Sequence, residues 1–172
     1  MPSRRRSDWA SAARAPAGGL AAAAARQAWE AGTPALGLQV LNYAPFDMAT
    51  DGRKKRALAA KPVVRPGITP LRQAAYLPTV VDRTHPLASP LYDTNDDELT
   101  GIAPALVITC QLDLLRDEGM HYAEKLRASG ALLEHREFQG VDHAYNILTE
   151  DTELTREMYD LIAHHIAEIQ TA

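Results

Sequence analysis

From Ala105 onward the sequence alternates between two periods, and that alternation restricts the fold more than anything else in it. Ala105 to Cys110 is a continuous apolar run, the length of a strand buried on both faces. Asp113 lies just beyond its carboxyl end. Asp117 and Glu118 suit the first turn of a helix that reaches Ser129, and Gly130 stops it. Leu132, Leu133, His135 and Phe138 fit a second strand, followed by a tight loop from Gly140 to His143. Leu154, Met158, Leu161, Ile162, Ile166 and Ile169 then recur at the spacing of one helical face. Strand, helix, strand, helix at these intervals implies crossovers and a parallel sheet. The predicted fold class is α/β, a parallel sheet with flanking helices.

Upstream the texture changes. No period of repeat length recurs. Residues 1–16 are rich in Arg, Ala and Ser, with neither helical nor strand periodicity, and are set apart as an off-pattern segment before a single domain over 17–172. Gly18 and Gly19 open an alanine-rich helix that runs through Trp29 and Glu30, with Gly32 and Pro34 behind it. Leu36 to Tyr43 reads as a buried strand ended by Pro45. Three strands are thereby predicted. Residues 44–103 carry seven of the eleven prolines and form a long excursion, with a short helix over 71–77. Excursions of this length within a compact domain are often lids or binding loops; the competing reading is a plain surface loop.

Composition excludes several function classes. The net charge of −4 is a poor match for wrapping nucleic acid, where clustered positive charge supplies most of the affinity. One cysteine, Cys110, makes no internal disulfide. The apolar stretch Leu20 to Ala25 is too short to span a bilayer. Asp8 and Arg14 interrupt any apolar core behind Arg4, Arg5 and Arg6, so no export signal is expected and the predicted location is cytoplasmic.

Ligands of open α/β sheets sit outside the carboxyl ends of the strands. Asp113 follows one such strand and His143 the next, and adjacent strands lie about 4.8 Å apart. A carboxylate on one ring nitrogen of a histidine fixes its tautomer and stabilises its charged form, the acid–base half of a hydrolytic triad. The structural alternative has Asp113 capping the next helix and His143 as a turn residue.

The run Ala105 to Gly119, ALVITCQLDLLRDEG, resembles the segment carrying the catalytic aspartate in the hormone-sensitive-lipase branch of the α/β-hydrolases. That segment typically ends D-P-L-R-D-E-G, and Leu114 replaces its proline. Tyr122 to Arg127 and Gly130 continue the likeness, and Leu87 to Leu91 resembles the short S-P-L segment before the aspartate strand. Gly140 to Tyr145 is similar to the family's G-x-x-H-G-F, with Ala144 and Tyr145 departing from it. The likeness covers roughly 17–170. It implies a partial α/β-hydrolase fold, the carboxyl-terminal half of such an enzyme, hydrolysing small carboxylic esters through an acyl-enzyme. In it His143 is base and then acid, Asp113 orients His143, and residues 44–103 help wall the acyl or alcohol pocket.

The family's nucleophile sits on G-D-S-A-G-G, a sharp strand-to-helix turn. Here Ala17, Gly18 and Gly19 match the last three positions and Pro16 stands where the serine belongs, 97 residues before Asp113. Proline has no hydroxyl, and its ring holds φ near about −65°, whereas such an elbow usually holds positive φ. Ala17 N–H remains a candidate oxyanion donor. No H-G-G-G run is present, and Trp9 to Arg14 lacks the Val and Ile of an elbow strand. The expectation drawn from this is a chain truncated or frame-shifted at its start, with one edge of the Leu36 strand bare and open to self-association.

Other signals carry less. Ser7 and Ser11 lack the following glycines, Cys110 reads as an inert buried thiol, and Ser89 falls in a segment without a nucleophile role. Arg53 to Arg56 reads as a solvated basic loop. His164 and His165 point to different faces of a helix, and there is no H-E-x-x-H or cysteine pair, so neither a metal nor a cofactor is implied. Two function readings stand. One is a carboxylic-ester hydrolase, favoured by the Asp113 and His143 segments. The other is a non-catalytic remnant or interaction module, favoured by Pro16 and by the absent oxyanion-loop half.

Overall fold

The computed structural model describes residues 10–13, 17–32, 36–79, 81–92, 99–149 and 152–171. Its centre is a four-stranded sheet, all parallel, in the order β1 (Ala10–Ala13), β2 (Leu38–Asn42), β3 (Ala105–Cys110) and β4 (Leu132–Phe138). The connections carry α1 (Ala17–Glu30), α2 (Thr69–Tyr76) and α3 (Arg116–Ala128). After β4 come the single turn α4 (Tyr145–Leu148) and the long α5 (Thr152–Thr171).

The continuous apolar run of β3 reflects its place inside the sheet. Ala105, Leu106, Val107, Ile108 and Cys110 are all at 0% exposure, because helices cover both faces. On one face α1 and α3 pack Ala21, Ala22, Ala25, Tyr122 and Leu126 against Leu41 and Val107. On the other, the α5 stripe of Met158, Leu161, Ile162 and Ile166 covers Leu38, Val40, Leu106 and Ile108. Alanines suit α1 because its first turn lies close to the chain leaving β2. A Cβ on Gly18 would stand 2.4 Å from the Ala44 Cβ, and one on Gly19 would stand 2.9 Å from the Pro45 carbonyl oxygen. Gly130, at φ +72°, ends α3 in the left-handed conformation that glycine adopts without strain.

One expectation is corrected here. Ala10–Ala13 lies within the stretch read as having no strand pattern, yet it pairs in parallel with Leu38–Leu41. Strand propensity is weak in alanine, and pairing against a fully buried neighbour overrides it. The edge of β2 expected to be bare is therefore covered, and the outer position on that side belongs to β1.

β2 and β3 are joined by a long connection that includes the Pro-rich residues 44–103. Besides α2 it contains short 3-10 turns at Gly52–Lys54, Pro66–Ile68, Val81–Thr84 and Pro90–Tyr92. Among the described residues no helix is long and apolar enough to cross a membrane.

Candidate active site

With the sheet parallel, the loops that leave the carboxyl ends of its strands share one edge, and the sequence-predicted pair meets there. Asp113 sits three residues beyond β3 in a tight turn. Its backbone N–H donates to the Cys110 carbonyl (3.2 Å), and its Oδ1 accepts from Leu115 N–H at 3.0 Å. Its carboxylate is 1% exposed. The other oxygen, Oδ2, stands 2.8 Å from His143 Nδ1. A carboxylate at that distance places the proton on Nδ1 and leaves Nε2 as the ring's acceptor.

The two loops are tied to each other, which fixes this geometry. Gln111 N–H donates to Phe138 O at 2.9 Å, Leu112 N–H to Val141 O at 3.0 Å, and Gly140 N–H to Gln111 Oε1 at 2.8 Å. Asp142 braces the histidine's own backbone. Its Oδ1 accepts from His143 N–H at 2.7 Å and its Oδ2 from Val63 N–H at 2.8 Å, which also anchors the excursion. Ala144 then turns the chain at φ 58° and ψ 26° into α4. That is a left-handed position, and it coincides with the place where the family pattern has glycine.

Sequence reasoning missed two neighbours. The Tyr43 ring lies 4.8 Å from the His143 ring at 58°, and its hydroxyl donates to Asn146 Oδ1 at 2.8 Å. Tyr43 was read as the last apolar residue of a strand. Its φ of 37°, which turns it out of β2, has no counterpart in apolar periodicity.

Of the remaining candidates, Ala17 opens α1, while Pro16 and Ser7 lie outside the described residues. Ser89 is fully buried, its hydroxyl donating to Arg83 O at 2.5 Å and accepting from Met48 N–H at 2.7 Å. It is occupied structurally. Burial, with Asp113, Asp142 and Glu137 nearby, pushes the Cys110 thiol up, away from thiolate formation. His164 Nε2 stands 3.4 Å from Glu168, and His165 lies between Glu134 (Nε2, 3.1 Å) and the same Glu168 (Nδ1, 3.4 Å). Among the described residues no cluster of three or more His, Cys, Asp or Glu is placed to hold a metal.

A cavity of about 460 Å³ opens beside the first turn of α1. Gly19 and Leu20 form one wall, Met48 another, and Tyr76, Leu77 and Leu87 of the excursion the rest. It is mainly apolar, with Arg72, Asp82 and His85 as its charged or titratable lining. Its lining includes neither Asp113 nor His143. It adjoins the start of α1 and the chain leaving β2 at Pro45 and Met48, on the edge of the sheet where the pair lies.

The model of the family described as alpha/beta hydrolase fold matches residues 17–147. The chain belongs to this family, in its hormone-sensitive-lipase branch, whose members are carboxylic-ester hydrolases. Among curated proteins it is similar to arylacetamide deacetylase of Bos taurus, 43% identical over 56 residues, which is 33% of this chain and 14% of that protein. It is also similar to the carboxylic ester hydrolase LipN of Mycobacterium tuberculosis, 40% identical over 65 residues, 38% of this chain and 16% of the other. Among solved structures, an esterase of Pyrobaculum calidifontis superimposes with a TM-score of 0.79 at 28% identity, covering 92% of this chain and 52% of that one. A thermostable esterase of Pseudomonas putida gives 0.73 at 31%, covering 90% and 48%. The chain thus spans about half the length of these solved esterases, and its matched stretches a smaller share of the curated relatives.

Proposed function

We propose that Asp113 and His143 are the acid–base half of a carboxylic-ester hydrolase site, for small-molecule esters held in the cavity beside α1. The observation that carries this reading is the 2.8 Å hydrogen bond from His143 Nδ1–H to the buried Asp113 carboxylate. In acyl-enzyme chemistry His143 Nε2 takes the proton of the attacking hydroxyl as its oxygen bonds to the ester carbonyl carbon. The same Nε2–H then goes to the departing alkoxide, and a water repeats the cycle on the acyl-enzyme. Asp113 holds the ring in the right tautomer and stabilises the imidazolium. Ala17 N–H, at the first position of α1, is the oxyanion donor in this reading.

The second reading, a non-catalytic remnant or interaction module that keeps the fold without turnover, is favoured by Pro16 and by the absence of an H-G-G-G oxyanion loop from this sequence. A proline where the family carries its serine supplies no hydroxyl to attack the ester. The two readings separate in an intact-mass experiment with a fluorophosphonate probe, which labels only activated serines. No adduct on a folded chain supports the half-site without turnover. A stoichiometric adduct that vanishes in His143→Ala supports a hydrolase that has recruited another serine. An adduct that survives His143→Ala contradicts the role given to His143.

A further inference from the structure

In sequence the basic run Arg53 to Arg56 reads as a solvated loop, but the structure buries Lys55. Its side chain is 10% exposed and its ammonium pairs with Glu118, which is 5% exposed in the first turn of α3. Lys55 Nζ also donates to the Asp47 carbonyl at 2.8 Å, and Phe46 N–H donates to Glu118 Oε1 at 3.1 Å. One buried ion pair therefore holds both ends of the strap 46–55 against α3. Between those ends the strap is pinned to the excursion. Gln73, itself buried, donates to the carbonyls of Met48 (2.8 Å) and Thr50 (3.1 Å), and Met48 N–H reaches Ser89 Oγ. Met48 is the strap residue that walls the cavity.

We propose that the Lys55–Glu118 pair is the pin that sets whether the strap 46–55 closes this cavity, which makes the two residues positioning groups for its ligand. The proposal rests on the cavity being the ester site proposed above. The pin responds to protons in a definite direction. Burial, opposed by Lys55, raises the Glu118 carboxyl from 4.5 to about 7 while the strap is closed. Lifting the strap lets water reach Glu118 and returns it towards 4.5, so proton uptake favours closure.

The groups facing Glu118 support that assignment. These are Lys55 and Asp47 of the strap; Arg72 of α2 lines a small pocket with both but is not among the groups that act on Glu118. On α3, Arg116 is paired to Glu137, and the Tyr122 hydroxyl is pushed upward by burial, away from neutral pH. His85 of the excursion lines the same cavity, so the Glu118 variant is needed to separate the two.

The test is native-state hydrogen exchange on the full chain, read at the Phe46 and Met48 amides, from pH 5.5 to 8 and with and without saturating butyrophenone, a ketone that mimics an ester without a scissile oxygen. After correction for intrinsic rates, the wild-type protection at Phe46 is expected to fall about 30-fold over this range, from the two acidities above. Glu118→Gln, which cannot titrate, is expected to flatten that profile, and Lys55→Met to lower protection at least tenfold at pH 8, where Glu118 is charged. Butyrophenone is expected to raise protection at both amides. Wild-type protection independent of pH overturns the pin, as does exchange of Phe46 only in step with the β3 amides through global unfolding. A pH-independent wild type overturns the pin without any variant; where the wild type does follow pH, a profile that persists in Glu118→Gln overturns it as well, and His85→Asn, expected to leave the profile unchanged, is the second variant. A strap that follows pH but ignores butyrophenone supports the pin and counts against the ester-site reading of the cavity.

Discussion

Replacing Glu118 by glutamine tests which term governs the buried ion pair, desolvation or attraction. In the folded chain Glu118 keeps its proton up to about pH 7, whereas an ordinary glutamate releases it near 4.5. Between those values the folded state binds more protons than the unfolded state. This group's contribution to stability is therefore fully present below 4.5 and is lost as pH rises through 7. At about 1.36 kcal/mol per pH unit the gap of about 2.5 units amounts to about 3 kcal/mol. The side chain is buried to 5% exposure, so solvent screening does not dilute the effect. Burial lowers His135, which opposes Glu118 within this window, whereas Glu134 and Glu137, lowered from 4.5 by hydrogen bonds and nearby cations despite partial burial, act below it. The informative quantity is thus the difference between wild type and Glu118→Gln. Urea unfolding followed by circular dichroism at pH 5, 6, 7 and 8 is expected to show the two within about 1 kcal/mol at pH 5, with the variant gaining about 2–3 kcal/mol on wild type by pH 8. Parallel curves, or a wild type that gains on the variant as pH rises, would mean that attraction to Lys55 outweighs burial, and the reasoning would fail.

Three further predictions concern the site and its surroundings. Ala144→Gly relieves a left-handed alanine at φ 58° and is expected to stabilise the chain by about 1 kcal/mol, a rise of a few degrees in Tm by differential scanning calorimetry; a fall in Tm refutes the strain. Cys110 is expected to stay unreactive towards a thiol reagent such as dithionitrobenzoate in the folded chain and to release one equivalent in guanidinium; fast labelling of native protein would contradict its burial. Asp113→Asn keeps the shape of the buried side chain but stabilises the other tautomer, so the 15N imidazole spectrum of His143 is expected to change from Nδ1–H to a greater share of Nε2–H; an unchanged spectrum would show that Asp113 does not set the tautomer.

The carboxyl-terminal part of the fold was legible because its elements are buried in the way their patterns say. The predicted strand Ala105 to Cys110 is β3, and Leu132 to Phe138 is β4. The α5 stripe faces the sheet as its spacing requires. β1 was not legible, since alanine and serine acquire a strand only from the pairing offered by β2. Single-turn α4 is too short for any period to register. At the site, Asp113 and His143 could be placed from strand ends and from the resemblance. Tyr43 and Asn146 could not, because their positions depend on a kink and on a contact 103 residues apart in sequence. Lys55 was misread for the same reason. A charge run reads as solvated until its partner is known, and Glu118 lies 63 residues away.

The central claim is that Asp113 and His143 form a competent acid–base pair whose serine partner is missing because Pro16 stands in its place. Intact-mass kinetics of Pro16→Ser with a fluorophosphonate test it most directly, beside the wild type and Pro16→Ser/His143→Ala. The account predicts a stoichiometric adduct on the single variant and none on the other two. A Pro16→Ser chain that folds but stays unlabelled would contradict it, as would one whose labelling survives the loss of His143.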